Sequence, residues 1–389
     1  MAVAVLPQSL SQDVLNDNHK YDVPKDVYEE QLLPILQALL KFGITDPSTV
    51  KFDPAKHILF TDDYYTKTKR HTLEELGLKN LHQTPISPIG VSEPFPLFTQ
   101  EAITIMRYEL IQKDLIEHCG RVSSQSTTGD VDLTIRGYTK KFAHFTHEAW
   151  THPKTMEIIN KMAGVELLHM FDYEIASANV SIRSEATKLI DQTPIDYDDP
   201  DKIPGIVSWH FDSPQFVCVL MMSDTTKMVG GETSLIKGDG KVAKVANPKQ
   251  GWANVLQGRV VKHIAPKPSG EYDERITQVC SYRPADPMLD KCVMTTIKPA
   301  ALSGTRYNEF YKDWMNYRLE VLSKRVDILK EQINTKIDKG ERFDQIETIN
   351  FIQKNIVEYA EHTWQEFEVV DDGIVEKPAS YQVTKARWD

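Results

Sequence analysis

Between Ala178 and Tyr282 short apolar runs alternate with Gly, Pro and Asp breaks. The runs are Ala178–Ile182, Gly205–His210, Gln215–Met222, Glu232–Ile236, Trp252–Leu256, Arg259–Ile264 and Arg275–Tyr282. Their length and spacing predict an antiparallel sandwich or barrel, not a parallel α/β sheet. The flanks carry a different period. Apolar residues recur at three- and four-residue steps around Val27–Phe42, from about Thr99 to His118, and after His152-Pro153, where proline suits a first helical turn. Past Ser303 the same period returns through Tyr307, Phe310, Trp314, Tyr317 and Val321, and again through Ile346, Ile349, Ile352 and Ile356. Pro85, Pro88, Pro94 and Pro96 mark an irregular connector, and the polar segment Ser123–Arg136 reads as a solvated loop or a lid. The expected organisation is a mainly β core at 166–302, wrapped by a mixed helical region at 1–165 and a helical extension at 303–389. The three parts are expected to form one compact unit.

Composition narrows the partners. Lys plus Arg is 45 against 56 Asp plus Glu, a formal charge of −11 over 389 residues. Such a chain does not attract phosphate backbones, so nucleic acid is excluded as an expected partner. The run Phe216–Met222 is too short to span a bilayer, and the N-terminal sequence lacks a basic start followed by a long apolar stretch. Cys119, Cys218, Cys280 and Cys292 form no CxxC pair, and Cys218 and Cys280 lie in apolar runs. A soluble, cytoplasmic protein with reduced thiols is expected. No membrane partner is expected, and the C-terminal helices suit a homodimer.

The chemistry concentrates in Ser208-Trp209-His210-Phe211-Asp212. In an extended strand residues i and i+2 share a face, so His210 and Asp212 can present a nitrogen and an oxygen to one ion. Two ligands hold a metal weakly. A third is available at His263, which ends the run Gly258-Arg259-Val260-Val261-Lys262 several strands later. Two histidines and a carboxylate on one face leave the other face of an octahedron open. Arg275 and Thr277 share one face of the last strand, and a buried guanidinium needs an anion. A dicarboxylate held by a bidentate pair and a hydroxyl would meet that need. Arg283, further along the same face, competes for this role. It precedes Pro284 and marks the strand exit, which favours Arg275.

His210-x-Asp212, Gly230-Gly231-Glu232-Thr233, Gly258-Arg259-Val260-Val261-Lys262-His263 and Arg275-x-Thr277 together resemble the 2-oxoglutarate/Fe(II)-dependent dioxygenase superfamily. The wider sequence is similar to its fungal small-molecule branch, which includes the aziridine-forming enzyme acting on valine. The resemblance implies a double-stranded β-helix (jelly roll) with helical N- and C-terminal extensions. It also implies Fe(II) at His210, Asp212 and His263, 2-oxoglutarate with its distal carboxylate on Arg275 and Thr277, and O2 as oxidant. The implied reaction oxidises a C–H bond of a small metabolite by hydroxylation, desaturation or ring closure, releasing succinate and CO2. Halogenation is not expected, because related halogenases lack the carboxylate that Asp212 provides.

Asn179, Ser181 and Arg183 alternate on a strand before the metal motif, and Asn179 is the expected further contact to co-substrate. Trp209 and Phe211 point away from the ligands and are expected to pack. His144 and His147 are expected to be structural. Two other classes remain compatible with the residues. A cupin-like isomerase or hydrolase would use the triad without 2-oxoglutarate, and a non-catalytic jelly-roll binding module would hold no iron tightly.

Overall fold

The alternation of inward and outward residues on β-strands builds the molecule. The computed structural model describes residues 15–18, 25–122, 131–183, 200, 203, 205, 208–246, 248–302 and 305–367. Its strands are β1 (Arg70–Thr72), β2 (Ile89–Ser92), β3 (Phe95–Pro96), β4 (Gly120–Val122), β5 (Val131–Ile135), β6 (Leu167–His169), β7 (Ser177–Ile182) and β8 (Phe216–Met221). They continue with β9 (Met228–Val229), β10 (Ser234–Ile236), β11 (Val242–Lys244), β12 (Trp252–Leu256), β13 (His263–Ile264), β14 (Ser269–Gly270) and β15 (Glu274–Pro284). The large sheet runs β1-β2-β12-β8-β15-β7-β5-β4, with β3 on β12 and β6 on β15. A small sheet runs β11-β10-β13, and every pairing in both is antiparallel.

Register divides the large sheet into two faces. Ile276, Cys280 and Tyr282 of β15, with Cys218 and Leu220 of β8 and Ala178 and Val180 of β7, join one apolar layer with helix residues such as Ile103, Phe145, Trp150 and Ile159. Those helices are α2 (Gln100–Leu110), α4 (His144–Thr151) and α5 (Pro153–Ala163), with α1 (Lys25–Lys41) and α3 (Lys113–Cys119) alongside. Trp150 donates from Nε1 to Gln278 Oε1 at 2.9 Å, and Gln278 donates to the Tyr138 hydroxyl at 2.9 Å. The polar side chains of Trp150, Gln278 and Tyr138 thereby satisfy one another inside this layer. On the other face Val217, Val219 and Val279 pack with Leu235, Leu256, Val260 and Val261 between the two sheets. The third apolar group joins α6 (Tyr307–Asp338) through Phe310, Trp314, Tyr317 and Val321 to Phe171, Cys292 and Met294. After α6 come α7 (Gln345–Phe351), a π-helical turn over Ile352–Val357, and α8 (Glu358–Trp364). All four cysteines are free and buried. Among the described residues no helix is long and apolar enough to cross a membrane.

Three expectations need correction. The run 99–118 is two helices, because the chain breaks after Leu110 and restarts at Lys113. Arg259–Ile264 is mostly a turn: the Gln257 carbonyl accepts from both Val260 N and Val261 N, at 3.0 and 3.1 Å, and strand pairing resumes only at His263. That turn carries the chain from the large sheet to the small one. Of the polar segment Ser123–Arg136, residues 123–130 lie outside the described residues, and 131–135 form β5 rather than a loop or lid. Leu133 and Ile135 enter the apolar layer while Asp132 and Thr134 alternate with them, a period-two pattern hidden by its polar content.

β6 carries a group with a measurable pH signature. His169 Nε2 donates to the Trp150 carbonyl at 3.2 Å, and Nδ1 lies 3.4 Å from Cys280 Sγ. Burial pushes its pKa down from 6.5 to about 4. The unfolded chain therefore binds the extra proton between these values and the folded chain does not. The stability contribution is full above about pH 6.5 and is lost as pH falls toward 4. The total is about 3 kcal/mol, of which about 2 kcal/mol is gone by roughly pH 5. Urea unfolding at neutral and acid pH should show His169→Gln flattening this part of the profile. An unchanged acid slope in the variant would contradict the assignment.

Candidate metal centre

His263 opens β13, opposite Leu235 of β10. His210 pairs with it as a lone bridge, exchanging both backbone hydrogen bonds at 3.1 and 3.0 Å. The two rings lie 4.5 Å apart between centroids. Beyond Phe211 the chain leaves the sheet, so Asp212 does not share a strand face with His210 as alternation suggested. It reaches the same place by docking on the turn after β12, with Asp212 N donating to the Gly258 carbonyl at 2.9 Å.

The result is one cluster. Ligand atoms of His210, Asp212 and His263 all lie within 4.8 Å of one another. His210 Nε2 is 3.4 Å from Asp212 Oδ1, and His263 Nε2 is 3.5 Å from Asp212 Oδ2. Each ring is oriented from behind: His210 Nδ1 donates to the Ser208 carbonyl at 2.7 Å and His263 Nδ1 to the Val261 carbonyl at 2.9 Å. A proton on Nδ1 leaves Nε2 as a lone pair facing the centre, the usual backing of a metal-bound imidazole. Side-chain exposure falls from 24% at His210 through 15% at Asp212 to 10% at His263, so the cluster is open along one side.

Charge follows geometry. Burial raises the Asp212 carboxyl, but His263, His210 and Arg259 outweigh it and hold the group below the usual carboxylate range. Burial pulls His210 down, and the Asp212 hydrogen bond and charge more than reverse this. His263 stays below its ordinary value, because burial exceeds the help it receives from Asp212. Asp212 Oδ2 is buried without a hydrogen-bond donor among the described residues. A buried anionic oxygen in that state is costly, and a cation between two imidazoles and this carboxylate would satisfy it. The donor set therefore fits a divalent metal of the non-haem iron type.

Gly258 matters to the same atom. A Cβ there would stand 1.8 Å from Asp212 Oδ2 and 2.6 Å from its carboxyl carbon. Gly258→Ala should displace the carboxylate and lower Fe(II) affinity by about 10- to 100-fold, the range seen when the supports of metal ligands are lost. Equilibrium metal titration checks this, and wild-type affinity in the variant would refute it.

The remaining sequence candidates lie on the inward face of the large sheet. Thr277 stands opposite Asn179, which stands opposite Thr134, and Arg275, Ser181 and Asp132 form the next rung. Thr277 and Arg275 are buried and Asn179 is half-buried. Arg275 Nη2 donates to the Gly231 carbonyl at 3.0 Å, and its Nε is buried without an acceptor among the described residues. Burial draws this guanidinium down from its ordinary value, against the opposing charges of Asp132 and Glu232. Gly230 and Gly231, with φ of +80° and +79°, form the left-handed turn that brings that carbonyl in. Arg283 instead faces α6, where Nη2 lies 3.2 Å from both Glu320 oxygens. His144 is exposed and His147 half-buried on α4, across the sheet from Arg275 and Thr277. Trp209 Nε1 donates to the Pro200 carbonyl at 2.8 Å, and the Phe211 ring lies 4.3 Å from His82. Sequence reasoning assigned no role to Asp132, Arg259 or the Gly231 carbonyl. Their place beside the site comes from turns and sheet neighbours that no local spacing encodes.

No protein-family model matches the chain, and no curated protein matches it. Solved structures give partial likenesses. A non-haem α-ketoglutarate-dependent carbocyclase from nogalamycin biosynthesis is 14% identical, with a TM-score of 0.35, over 56% of this chain and 88% of that one. A Pseudomonas putida prolyl-4-hydroxylase is 15% identical at 0.30, over 47% and 86%. An oxidoreductase of the 2OG-Fe(II) oxygenase family from Burkholderia pseudomallei is 12% identical at 0.26, over 41% and 73%. Likenesses at such scores weigh nothing for or against an activity.

Proposed function

We propose that this chain is an Fe(II)- and 2-oxoglutarate-dependent oxygenase of small metabolites, built on a double-stranded β-helix of the fungal small-molecule branch. The observation that carries the reading is the convergence of His210, Asp212 and His263, with both Nδ1 atoms held by carbonyls and Asp212 Oδ2 lacking a donor among the described residues. The strand orders β12-β8-β15-β7 and β11-β10-β13 with His210 support it, because two such antiparallel layers facing each other form a jelly roll. Residues 166–302 would be the catalytic core, with 1–165 and 303–389 wrapping it as one unit in the cytoplasm.

Fe(II) bound there with 2-oxoglutarate supplies the activation of O2 and the oxidation of a substrate C–H bond, with succinate and CO2 as co-products. The protein's share is positioning and exclusion. His210 and His263 offer neutral nitrogens because their other ring protons are engaged, and Asp212 offers the charge. Arg275 would take the far carboxylate of 2-oxoglutarate, with Thr277 and Asn179 beside it on the same face. A buried guanidinium whose Nε lacks an acceptor favours this over a cupin-like isomerase or hydrolase, which gives Arg275 no anion to bind. Hydroxylation, desaturation and ring closure all start from the same C–H oxidation, and an amino acid is among the substrates this reading admits.

Arg275→Gln should weaken 2-oxoglutarate by about 30- to 100-fold through loss of a charge-assisted pair. Fe(II) affinity should be unchanged. Succinate formation against 2-oxoglutarate concentration measures the first and metal titration the second. Unaltered co-substrate dependence in the variant would remove the basis for the oxygenase.

A further inference from the structure

Beyond its charge on Asp212, Arg259 has no ligand to bind in the oxygenase reading, although it follows Gly258, the glycine on which Asp212 is seated. Its side chain is buried at 7% exposure, and Nε is enclosed without an acceptor. The guanidinium makes no hydrogen bond or ion pair with any described residue. Its opposing charges are Glu366 and Asp212, with burial the larger effect on it. Glu366 is already engaged, accepting from Met294 N at 2.8 Å and from the Thr295 hydroxyl. Asp212 is the carboxylate that a metal would use. With a dication on Asp212, Arg259 would face added positive charge and lose the opposing charge that Asp212 gives it. A buried, unpaired guanidinium is a net cost to folding, so stability gives no reason to place one here.

An incoming anion resolves the imbalance. The planar fork of arginine matches a carboxylate in two parallel hydrogen bonds. Arg275, on the large sheet, already has a carboxylate to hold in the reading above. We propose that Arg259 binds a carboxylate of the primary substrate, so that the enzyme acts on a small organic acid and orients it from the Asp212 side of the metal. This inference rests on the oxygenase reading and names its substrate class.

The test uses Fe(II)-loaded full-length protein and a panel of protein amino acids with their 2-oxo and 2-hydroxy analogues, each beside its primary amide. Succinate released above the substrate-free rate is the readout. Stimulation should come from acids and fall by about 100-fold for the matching amides. Arg259→Gln should raise KM for the stimulating acid by about 100-fold, with kcat within a few-fold and KM for 2-oxoglutarate unchanged. Arg259→Lys should recover part of the loss. The acid–amide comparison on the wild type stands even where a variant folds poorly. The proposal is overturned if amides serve as well as acids, if no acid stimulates, or if Arg259→Gln raises KM for 2-oxoglutarate instead. Failure of the oxygenase reading would look different, as wild-type protein that binds no Fe(II) together with 2-oxoglutarate.

Discussion

Protein carrying His210→Ala together with Asp212→Ala is expected to bind no Fe(II) at concentrations that saturate the wild type, and to form no succinate. The pair removes two of three ligands and leaves His263 alone, and one imidazole cannot hold a divalent ion against water. The loss should exceed the roughly 100-fold that removal of an outer hydrogen-bond partner costs a metal site. The fold should survive. His210 contributes its backbone to the bridge with His263, and the substitution leaves that backbone in place. Removing Asp212 takes away a buried carboxylate oxygen that lacks a donor among the described residues, and with it the favourable charge of His263, His210 and Arg259 on that carboxylate. The two effects oppose, so thermal stability without metal should change little. Metal titration and a thermal melt of the metal-free protein check both halves. Fe(II) binding that persists in the double variant would place the metal elsewhere.

Asp290→Ala is expected to be the most destabilising single change discussed, at about 3–5 kcal/mol, because it strands buried partners of a buried charge. The Asp290 carboxylate is fully buried. It accepts from the Tyr317 hydroxyl at 2.7 and 2.6 Å and from the Tyr359 hydroxyl at 2.6 Å, with Arg318 Nη1 at 3.6 Å. Arg318 also donates to the Cys292 carbonyl, the Tyr359 carbonyl and the Thr363 hydroxyl, which ties α6 to α8 and to the 290–298 segment. That segment reaches the metal side. Val293 N donates to the Ser213 carbonyl at 3.0 Å, and Thr296 N to Ser213 Oγ at 2.8 Å, one residue from Asp212. Asp290→Ala should therefore lower the urea midpoint strongly and weaken Fe(II) binding as well. A stability change below about 1 kcal/mol would show that the network is not the tie described.

The site was more legible than the frame around it. His210, Asp212 and His263 stand in a recognisable order, and Arg275-x-Thr277 follows on a strand whose alternation is plain. Their convergence could be anticipated because strand spacing returns the chain to one place. The means of convergence could not. Val260-Val261 reads as strand because both residues are apolar, yet the Gln257 carbonyl captures both N–H groups and turns the chain. Val131–Ile135 reads as loop because Asp132 and Thr134 are polar, yet they face between the sheets and their neighbours face the helices. Buried polar residues invert the usual cue that polarity means solvent, and only tertiary context restores it. Arg259 was visible as part of a motif, but its lack of a hydrogen-bond partner among the described residues is a property of the folded surroundings alone.

The most direct measurement is anaerobic visible absorption of the protein titrated with Fe(II) and then with 2-oxoglutarate. A weak charge-transfer band should grow to one equivalent of each, disappear in the His210→Ala, Asp212→Ala protein, and need far more 2-oxoglutarate in Arg275→Gln. Absence of the band in the wild type, or its full retention without those two ligands, would contradict the account.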